Sequence, residues 1–245
     1  MKVGLCIPCY TNAVAPEVGV SSYKLLKYFG FDVEYPEGQT CCGQPMANGG
    51  FQSEAKCLAR KFDTLFGKYE YIVAPSSSCV MFIREHYCEM LGYKETEYAR
   101  NRLFEMCEFI HDVVKPSSLN ARFPHKVSIH NSCHGVRLAG LSSPSELNIP
   151  YFSKLRNLLS LVADIEILEP ERPDECCGFG GLFSVEESAV SIKMGTDKIK
   201  RHMATGAEYI VGADSSCLMH QSGIISANGF PIKTIHILEI LAQGL

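Results

Sequence analysis

The sequence lacks a basic block, a long apolar run and any tryptophan. Lys and Arg together number 23 against 27 Asp and Glu, which gives a net charge of −4. Because nucleic acids and anionic membranes attract clustered positive charge, this composition predicts no nucleic-acid or membrane-surface partner. No apolar stretch approaches the ~18 residues of a membrane span, so we expect no transmembrane segment.

The N-terminus also lacks the pattern of a secretory leader. Its apolar stretch, residues 3–8, is too short for one and ends in Pro8. We therefore expect a cytoplasmic protein. In a reducing compartment, the 12 cysteines are more typical of metal ligands, catalytic thiols or core residues than of disulfides.

The cysteines follow the same pattern in each half of the chain. A single cysteine is followed by a Cys-Cys-Gly triplet and another single cysteine, at positions 9, 41–43 and 79 and again at 133, 176–178 and 217. The segment before the last cysteine repeats as well, as Tyr-Ile-Val-Ala at 71–74 and Tyr-Ile-Val-Gly at 209–212. This internal repeat predicts two similar lobes, residues 1–120 and 121–245.

Short apolar stretches alternate with stretches of helical periodicity along both halves. Strands are predicted at residues 2–7, 32–35, 71–74, 126–130, 165–168, 209–211 and 233–236. Helices are predicted at 17–29, 53–66, 80–91, 151–162, 185–203 and 218–227, with apolar helical stretches at 109–114 and 237–241. This alternation predicts an α/β fold of two Rossmann-like lobes with mainly parallel sheets.

Each single cysteine of the repeat follows the carboxyl end of a predicted strand, and each Cys-Cys pair lies in a loop between a strand and a helix. Open α/β sheets bind ligands at that edge. We therefore expect the cysteines of each lobe to converge on one rim.

Four thiolates per lobe are the usual ligand complement of an iron–sulfur cluster. Adjacent cysteines suit a cluster better than a zinc knuckle, whose ligands are spaced ~2–4 residues apart. The glycine after each pair permits a positive φ and leaves room beside a bulky inorganic group. The pattern therefore favours iron–sulfur chemistry over structural zinc.

The other cysteines carry weaker signals. Cys57, Cys88 and Cys107 have no counterpart in the other lobe, which favours ordinary packing. Cys6 and Cys9 form a Cys-x-x-Cys pair, a pattern also typical of thioredoxin-like redox sites. That motif needs a helix at its first cysteine, and Ala15-Pro16 indicates that the helix begins later. Packing is therefore the favoured role of Cys6, with a redox pair as the alternative.

Histidines lie close to the second set of cysteines. His130 and His134 bracket Cys133, and His220 lies three residues after Cys217. A histidine can replace a thiolate on a cluster. A hydrogen-bonding role beside the ligands, or an ordinary polar role, fits each of them better. His134 and His220 are the two candidates for an additional ligand or for a neighbour of the ligands.

These motifs resemble the tandem cysteine-rich domains found in heterodisulfide reductases and in the iron–sulfur component of glycolate oxidase. They are most similar to the single-chain lactate utilization protein A family. The resemblance rests on residues 8–9, 16–19, 39–45, 75–79, 121–124, 132–134, 175–181 and 217–220, which run the length of the chain.

The resemblance implies an iron–sulfur electron-transfer subunit in the NAD-independent oxidation of L-lactate to pyruvate. It implies one or two clusters of the [4Fe–4S] type, a ferredoxin-like iron–sulfur partner and a third lactate-utilization subunit. No catalytic residue is assigned. The implied cluster ligands are Cys9, Cys41, Cys42 and Cys79 in the first lobe and Cys133, Cys176, Cys177 and Cys217 in the second.

One departure from the heterodisulfide reductase pattern leaves alternatives open. Those domains close with Cys-x-x-Cys, whereas this chain has Phe82 after Cys79 and His220 after Cys217. A five-cysteine cluster is therefore disfavoured, and a lobe without any cluster remains an alternative. Thiol–disulfide chemistry at a cluster, oxidation of glycolate or another 2-hydroxy acid, and a regulatory module without turnover also fit the cysteines.

Overall fold

The computed structural model describes the backbone of residues 1–245 and every side chain except those of residues 91 and 93–96. The strands are β1 (Lys2–Leu5), β2 (Asp32–Glu34), β3 (Tyr71–Ala74), β4 (Leu103–Glu105), β5 (Lys126–His130), β6 (Glu166–Leu168), β7 (Tyr209–Gly212) and β8 (Lys233–His236). Within the described backbone they form two four-stranded sheets, ordered β2-β1-β3-β4 and β6-β5-β7-β8. Neighbouring strands pair in parallel. The predicted α/β fold of two similar lobes with parallel sheets is confirmed.

Helices connect the strands in both lobes. The first lobe has α1 (Cys9–Val14), α2 (Pro16–Tyr28), α3 (Gln44–Asn48), α4 (Gln52–Phe66), α5 (Ser77–Leu91), α6 (Tyr93–Arg100) and α7 (Met106–Glu108), followed by a π-helix (Phe109–Val114). The second has α8 (Cys133–Arg137), a 3-10 helix (Ser145–Leu147), α9 (Lys154–Leu159), α10 (Phe183–Glu186), α11 (Ser188–Ala204), α12 (Ser215–Asn228) and α13 (Ile237–Leu241).

The central strands are buried along most of their length. Val3, Leu5, Ile72 and Val73 are almost fully inaccessible to solvent. Because helices cover both faces of a parallel sheet, its central strands are apolar throughout rather than alternating. This explains why continuous apolar runs marked β1 and β3 in the sequence.

The structure shifts several predicted helix boundaries. The predicted helix at 151–162 is only α9, because Ser153 pairs with Ser142 and its hydroxyl accepts a hydrogen bond from the Arg156 backbone N–H. The helix predicted at 80–91 starts earlier, since Ser76 caps α5. The helix predicted at 185–203 is interrupted at Glu187, where α10 ends and α11 begins. Helices α1 and α8 and strand β4 were too short for periodicity to indicate.

The two lobes share one apolar core. Leu25 and Leu26 of the first lobe belong to the same buried cluster as Ile237 and Leu241 of the second. Helix α13 packs on α2, and α9 packs on α7. The boundary at residues 120 and 121 stays a prediction, in a stretch between Val114 and Lys126 without helix or extended strand.

Candidate metal centre

The carboxyl edges of the two sheets meet at one cleft of about 240 Å³. Loops and helix starts from both lobes line it. The cleft brings together all eight cysteines of the repeat, namely Cys9, Cys41, Cys42, Cys79, Cys133, Cys176, Cys177 and Cys217. The expected convergence within each lobe therefore extends further, because the two rims face each other.

In the first lobe the four thiols form a connected chain. Cys9 and Cys42 both lie in hydrogen-bonding contact with Cys41, and Cys42 also contacts Cys79. The contacts with Cys42 and Cys9 lower the pKa of Cys41 far below its usual value. The contact with Cys41 is the largest cause of the raised pKa values of Cys9 and Cys42. The set therefore stabilises negative charge on Cys41.

The second lobe repeats this arrangement residue for residue. Cys133 and Cys177 contact Cys176, and Cys177 also contacts Cys217. Hydrogen bonds from Cys133 and Cys177 lower the pKa of Cys176, and the same contacts raise the pKa values of Cys133 and Cys177. The first cysteine of the adjacent pair is thus the acceptor in each lobe.

The glycine after each Cys-Cys pair has a conformation that the site requires. Gly43 has φ +91° and Gly178 has φ +87°, a region that side chains disfavour. Each donates its backbone N–H to the first cysteine of its pair, over 3.4 Å to Cys41 Sγ and 3.3 Å to Cys176 Sγ. The expectation that these glycines take a positive φ is confirmed.

The single cysteines all occupy the first turn of a helix. Cys9 begins α1 and Cys133 begins α8, while Cys79 and Cys217 lie at the third residues of α5 and α12. The amino end of a helix favours negative charge and so favours the thiolate that binds metal. Strand, turn and helix start thus place each thiol on the rim.

Polar side chains join the two lobes beside the cysteines. Asp214 Oδ1 accepts hydrogen bonds from Ser76 Oγ over 2.8 Å and from Ser78 Oγ over 3.1 Å. Burial raises the pKa of Asp214 above its usual value. Across the cleft, the rings of Tyr10 and Phe179 meet edge to face with centroids 5.5 Å apart. These contacts between the lobes keep the two cysteine sets next to each other in the cleft.

The two predicted histidines occupy different places. His134 lines the cleft, with Nδ1 3.6 Å from Cys133 Sγ. The ring of His220 is directed toward α11, where Nε2 lies 3.4 Å from Ser191 Oγ. Gly195 leaves space for this ring, because a Cβ there would lie 3.0 Å from the same nitrogen. His134 is thus positioned beside a candidate ligand, whereas His220 contacts α11.

Phe82 and the cysteines outside the repeat differ in burial. Phe82 is buried and packs edge to face on Tyr87, with ring centroids 6.0 Å apart. Cys107 is buried and Cys88 half-buried, as packing predicts. Cys57 is exposed, so the packing prediction is wrong there: its position on α4 faces solvent.

Cys6 lies just after β1, and its backbone N–H donates to Val73 O over 2.9 Å. Helix α1 starts at Cys9 rather than at Cys6. Burial, with a smaller effect of Cys79, raises the pKa of Cys6 above its usual value. Cys6 therefore lacks the helix start that activates the first thiol of a redox pair.

Two buried side chains lie behind the second set. His130, which the sequence placed beside Cys133 without assigning it to the site, is the last residue of β5 and is 1% exposed. Lys198 is fully buried on α11 and donates to the Pro173 carbonyl over 3.2 Å. Burial lowers the pKa of Lys198 to about 8. A lysine in a helical stretch normally indicates a solvent-facing position, so no pattern pointed to it.

The donor set of each lobe fits an iron–sulfur group. All twelve cysteines are free thiols, and soft sulfur donors select iron–sulfur clusters, zinc or Cu(I). Behind the second set, a Cβ on Gly178 would lie 2.6 Å from Ser191 O, so the loop holds its close approach only with glycine. The residues able to hold such a group are the four thiols of each lobe.

Fold and site together define a tandem cysteine-rich-domain protein. The family model of the cysteine-rich domain (CCG) matches residues 3–84 and 127–221, one copy in each lobe. A lactate utilization protein A 1 of Bacillus mycoides is 36% identical over 249 residues, covering 99% of this chain and 97% of that protein. A lactate utilization protein A 2 of Bacillus cereus is 36% identical, covering 100% and 99%. The chain belongs to the lactate utilization protein A family.

Solved structures are similar only at a distance. A glutamate racemase of Bacillus anthracis superimposes with a TM-score of 0.39 and 10% identity, over 98% of this chain and 78% of that one. This similarity carries no argument about function. In the described part of the chain, no helix has both the length and the apolar character needed to cross a bilayer.

Proposed function

We propose that this chain is an iron–sulfur electron-transfer subunit that works with partner subunits to oxidise L-lactate to pyruvate without NAD. The observation that carries the proposal is the cleft onto which both four-thiol sets open. The proposed cofactor is one [4Fe–4S] cluster in each lobe, held by Cys9, Cys41, Cys42 and Cys79 and by Cys133, Cys176, Cys177 and Cys217.

Electron counting supports a role for two sets. Oxidation of a 2-hydroxy acid to a 2-oxo acid releases two electrons and two protons, and an iron–sulfur cluster supplies one-electron transfer. Contacts within each thiol set lower the pKa values of Cys41 and Cys176, while the Asp214 hydrogen bonds and the Tyr10–Phe179 contact keep the two sets on one cleft. Two sets in one chain match the two electrons of one turnover.

The names of the relatives support the metabolic assignment, since both are lactate utilization proteins. We assign the chain a ferredoxin-like iron–sulfur partner and a third lactate-utilization subunit, with the substrate bound on a partner. A cytoplasmic location belongs to the same proposal, because thiols stay reduced there.

Anaerobic purification with iron and acid-labile sulfide analysis tests the cofactor. We expect a brown protein with both elements in comparable amounts. The matched control is Cys57→Ser, which removes an exposed thiol outside both sets and leaves the iron content unchanged. A colourless chain without labile sulfide after reconstitution, or one that holds zinc instead, would overturn the proposal.

Dye reduction tests the reaction and the partners. The chain alone and the chain with its two partners are supplied with L-lactate, glycolate or a disulfide substrate. We expect dye reduction with L-lactate only when the partners are present. Turnover by the chain alone would overturn the subunit role. A preference for glycolate or for a disulfide would overturn lactate as the substrate.

A further inference from the structure

The imidazole of His130 is buried without a hydrogen-bonding partner. Its side chain is 1% exposed, and neither ring nitrogen has a partner among the described residues. Leaving a buried polar group unsatisfied costs about 1–3 kcal/mol. Buried imidazoles in folded proteins normally avoid this cost, and both ring nitrogens of His130 are free to bind a group from outside the polypeptide.

The position of His130 relates it to the second cysteine set. A ring nitrogen of His130 and the sulfur atoms of Cys177 and Cys217 all lie within 4.8 Å of one another. The imidazole therefore stands at the second cysteine set. His220, which the sequence placed three residues after Cys217, instead contacts Ser191.

The first lobe has a donor atom at the equivalent position. Val3 pairs with Tyr71 and Val127 pairs with Tyr209, so positions in β1 and β5 correspond with an offset of 124. The same offset relates Cys9 to Cys133. It also relates Cys6 to His130.

Histidine is suited to this position, because a neutral imidazole binds metal through the lone pair of one ring nitrogen. Imidazole nitrogen replaces thiolate on iron in some iron–sulfur centres and raises their reduction potential, because a neutral ligand stabilises the reduced state better than an anionic one.

We propose that His130 is a nitrogen ligand of the metal group of the second lobe, beside Cys177 and Cys217 and in the place of one thiolate of that set, which makes the second centre chemically distinct from the first. This rests on the proposed function, namely that the second cysteine set holds iron. A nitrogen ligand in only one lobe gives the two centres different potentials, with the second lobe as the electron acceptor.

Pulsed EPR of the reduced full chain, labelled with 15N-histidine and reconstituted anaerobically, tests the proposal. We expect the strong hyperfine coupling of a directly bound nitrogen in the wild type and its complete loss in His130→Cys, which installs the first-lobe residue. Iron and sulfide contents should be retained in this variant, and the potential of one centre should fall.

His125→Gln, His134→Gln and His220→Gln are the matched controls, and each should keep the coupling. Loss of the coupling in His134→Gln or His220→Gln would identify that histidine as the ligand and overturn the proposal. A wild-type chain with iron and sulfide but without bound-nitrogen coupling would overturn it even if His130→Cys fails to fold. A chain without iron would instead overturn the proposed function.

Discussion

The two lobes present the same cysteines to the cleft but differ in what lies behind them. In the first lobe, Phe62 and Phe66 stack on α4 with ring centroids 4.7 Å apart. Gly43 faces Ala55 and Leu58 while Gly178 faces Ser191 and Met194. Residues of α4 and α11 therefore correspond with an offset of 136, which places Lys198 and His202 where the first lobe has its two phenylalanines.

The strands show the same contrast. Gly4 of β1 lies against the ring of Tyr69, and a Cβ there would be 2.5 Å from that ring. The equivalent Ser128 of β5 instead lies with its Oγ 2.8 Å from His202 Nδ1. An apolar, aromatic layer thus supports the first set and a polar layer supports the second. The cysteine positions at the cleft are therefore common to both lobes, whereas the residues packed behind the cysteines differ between the lobes.

Replacing the second cysteine of a Cys-Cys pair should have the largest effect, because it should remove the metal from one lobe and leave the other lobe loaded. Cys42→Ser and Cys177→Ser each delete a thiol that contacts two others of its set. We expect each variant to lose about half of the iron, since each cluster needs its full set of protein ligands. Iron analysis and EPR of both variants measure this. A complete loss of iron in either variant would show one shared centre instead of two.

Glu105 should make the first lobe less stable as the pH rises. Its Oε2 accepts hydrogen bonds from the backbone N–H groups of Cys107 and Glu108, and burial raises its pKa from 4.5 to about 8. Between these values the unfolded chain loses a proton that the folded chain retains, so stability falls with rising pH, by up to about 5 kcal/mol.

The isosteric Glu105→Gln keeps the acceptor oxygen and removes the titration. The difference in Tm between wild type and variant, measured anaerobically from pH 5 to pH 8, should therefore grow with pH in favour of the variant. A constant difference would contradict a buried protonated Glu105.

Lys198 should make the second lobe more stable as the pH rises, in a higher pH range than that of Glu105. Its folded-state pKa of about 8 lies below the ordinary value of 10.5. The folded chain releases this proton before the unfolded chain does, so stability rises between these values, by up to about 3 kcal/mol. Lys198→Met should abolish this rise, as measured by Tm between pH 8 and 10. An unchanged profile would contradict the buried position of the ammonium group.

The glycines after the two pairs should tolerate alanine unequally. A Cβ on Gly178 would lie 2.6 Å from Ser191 O and 2.8 Å from Met194 Cβ. On Gly43 the nearest atoms would be 3.4 Å away. Both variants strain a positive φ by about 1–2 kcal/mol, and overpacking adds about 1–3 kcal/mol in Gly178→Ala only. The unfolding midpoints of the two variants measure these costs. An equal loss of stability in both variants would contradict the difference in packing.

Much of the site within each lobe was predictable. The repeat gave the cysteine sets, and the carboxyl edge of a parallel sheet explains why residues such as Cys9 and Cys79 approach each other. The shared cleft was not predictable, because spacing within a lobe carries no information about how two lobes pack. The Asp214–Ser76 contact depends on that packing.

The misses have identifiable physical causes. His220 follows Cys217 by almost one helical turn, which indicates the same helix face, but the space at Gly195 admits its ring toward α11. His130 had a usable signal, since it aligns with Cys6 at the offset that relates Cys9 to Cys133. Lys198 had none, because its burial depends on the tertiary packing of α11 against β5.

The contacts between the lobes come in symmetric pairs. Thr11 Oγ1 lies 3.3 Å from Ser215 Oγ, and at the corresponding positions a Cβ on Gly135 would lie 3.2 Å from Ser77 Oγ. The hydrogen bond between Ser76 and Asp214 joins two residues that occupy the same position in their respective copies. A patch that meets its own counterpart is the hallmark of an isologous homodimer. The two lobes of this chain thus meet around a pseudo-two-fold axis, as two subunits do in such a dimer. Because both halves belong to one chain, each can carry its own residue at a shared position. A strictly symmetric pair would have two like residues at the axis, where this chain has one carboxyl and one hydroxyl.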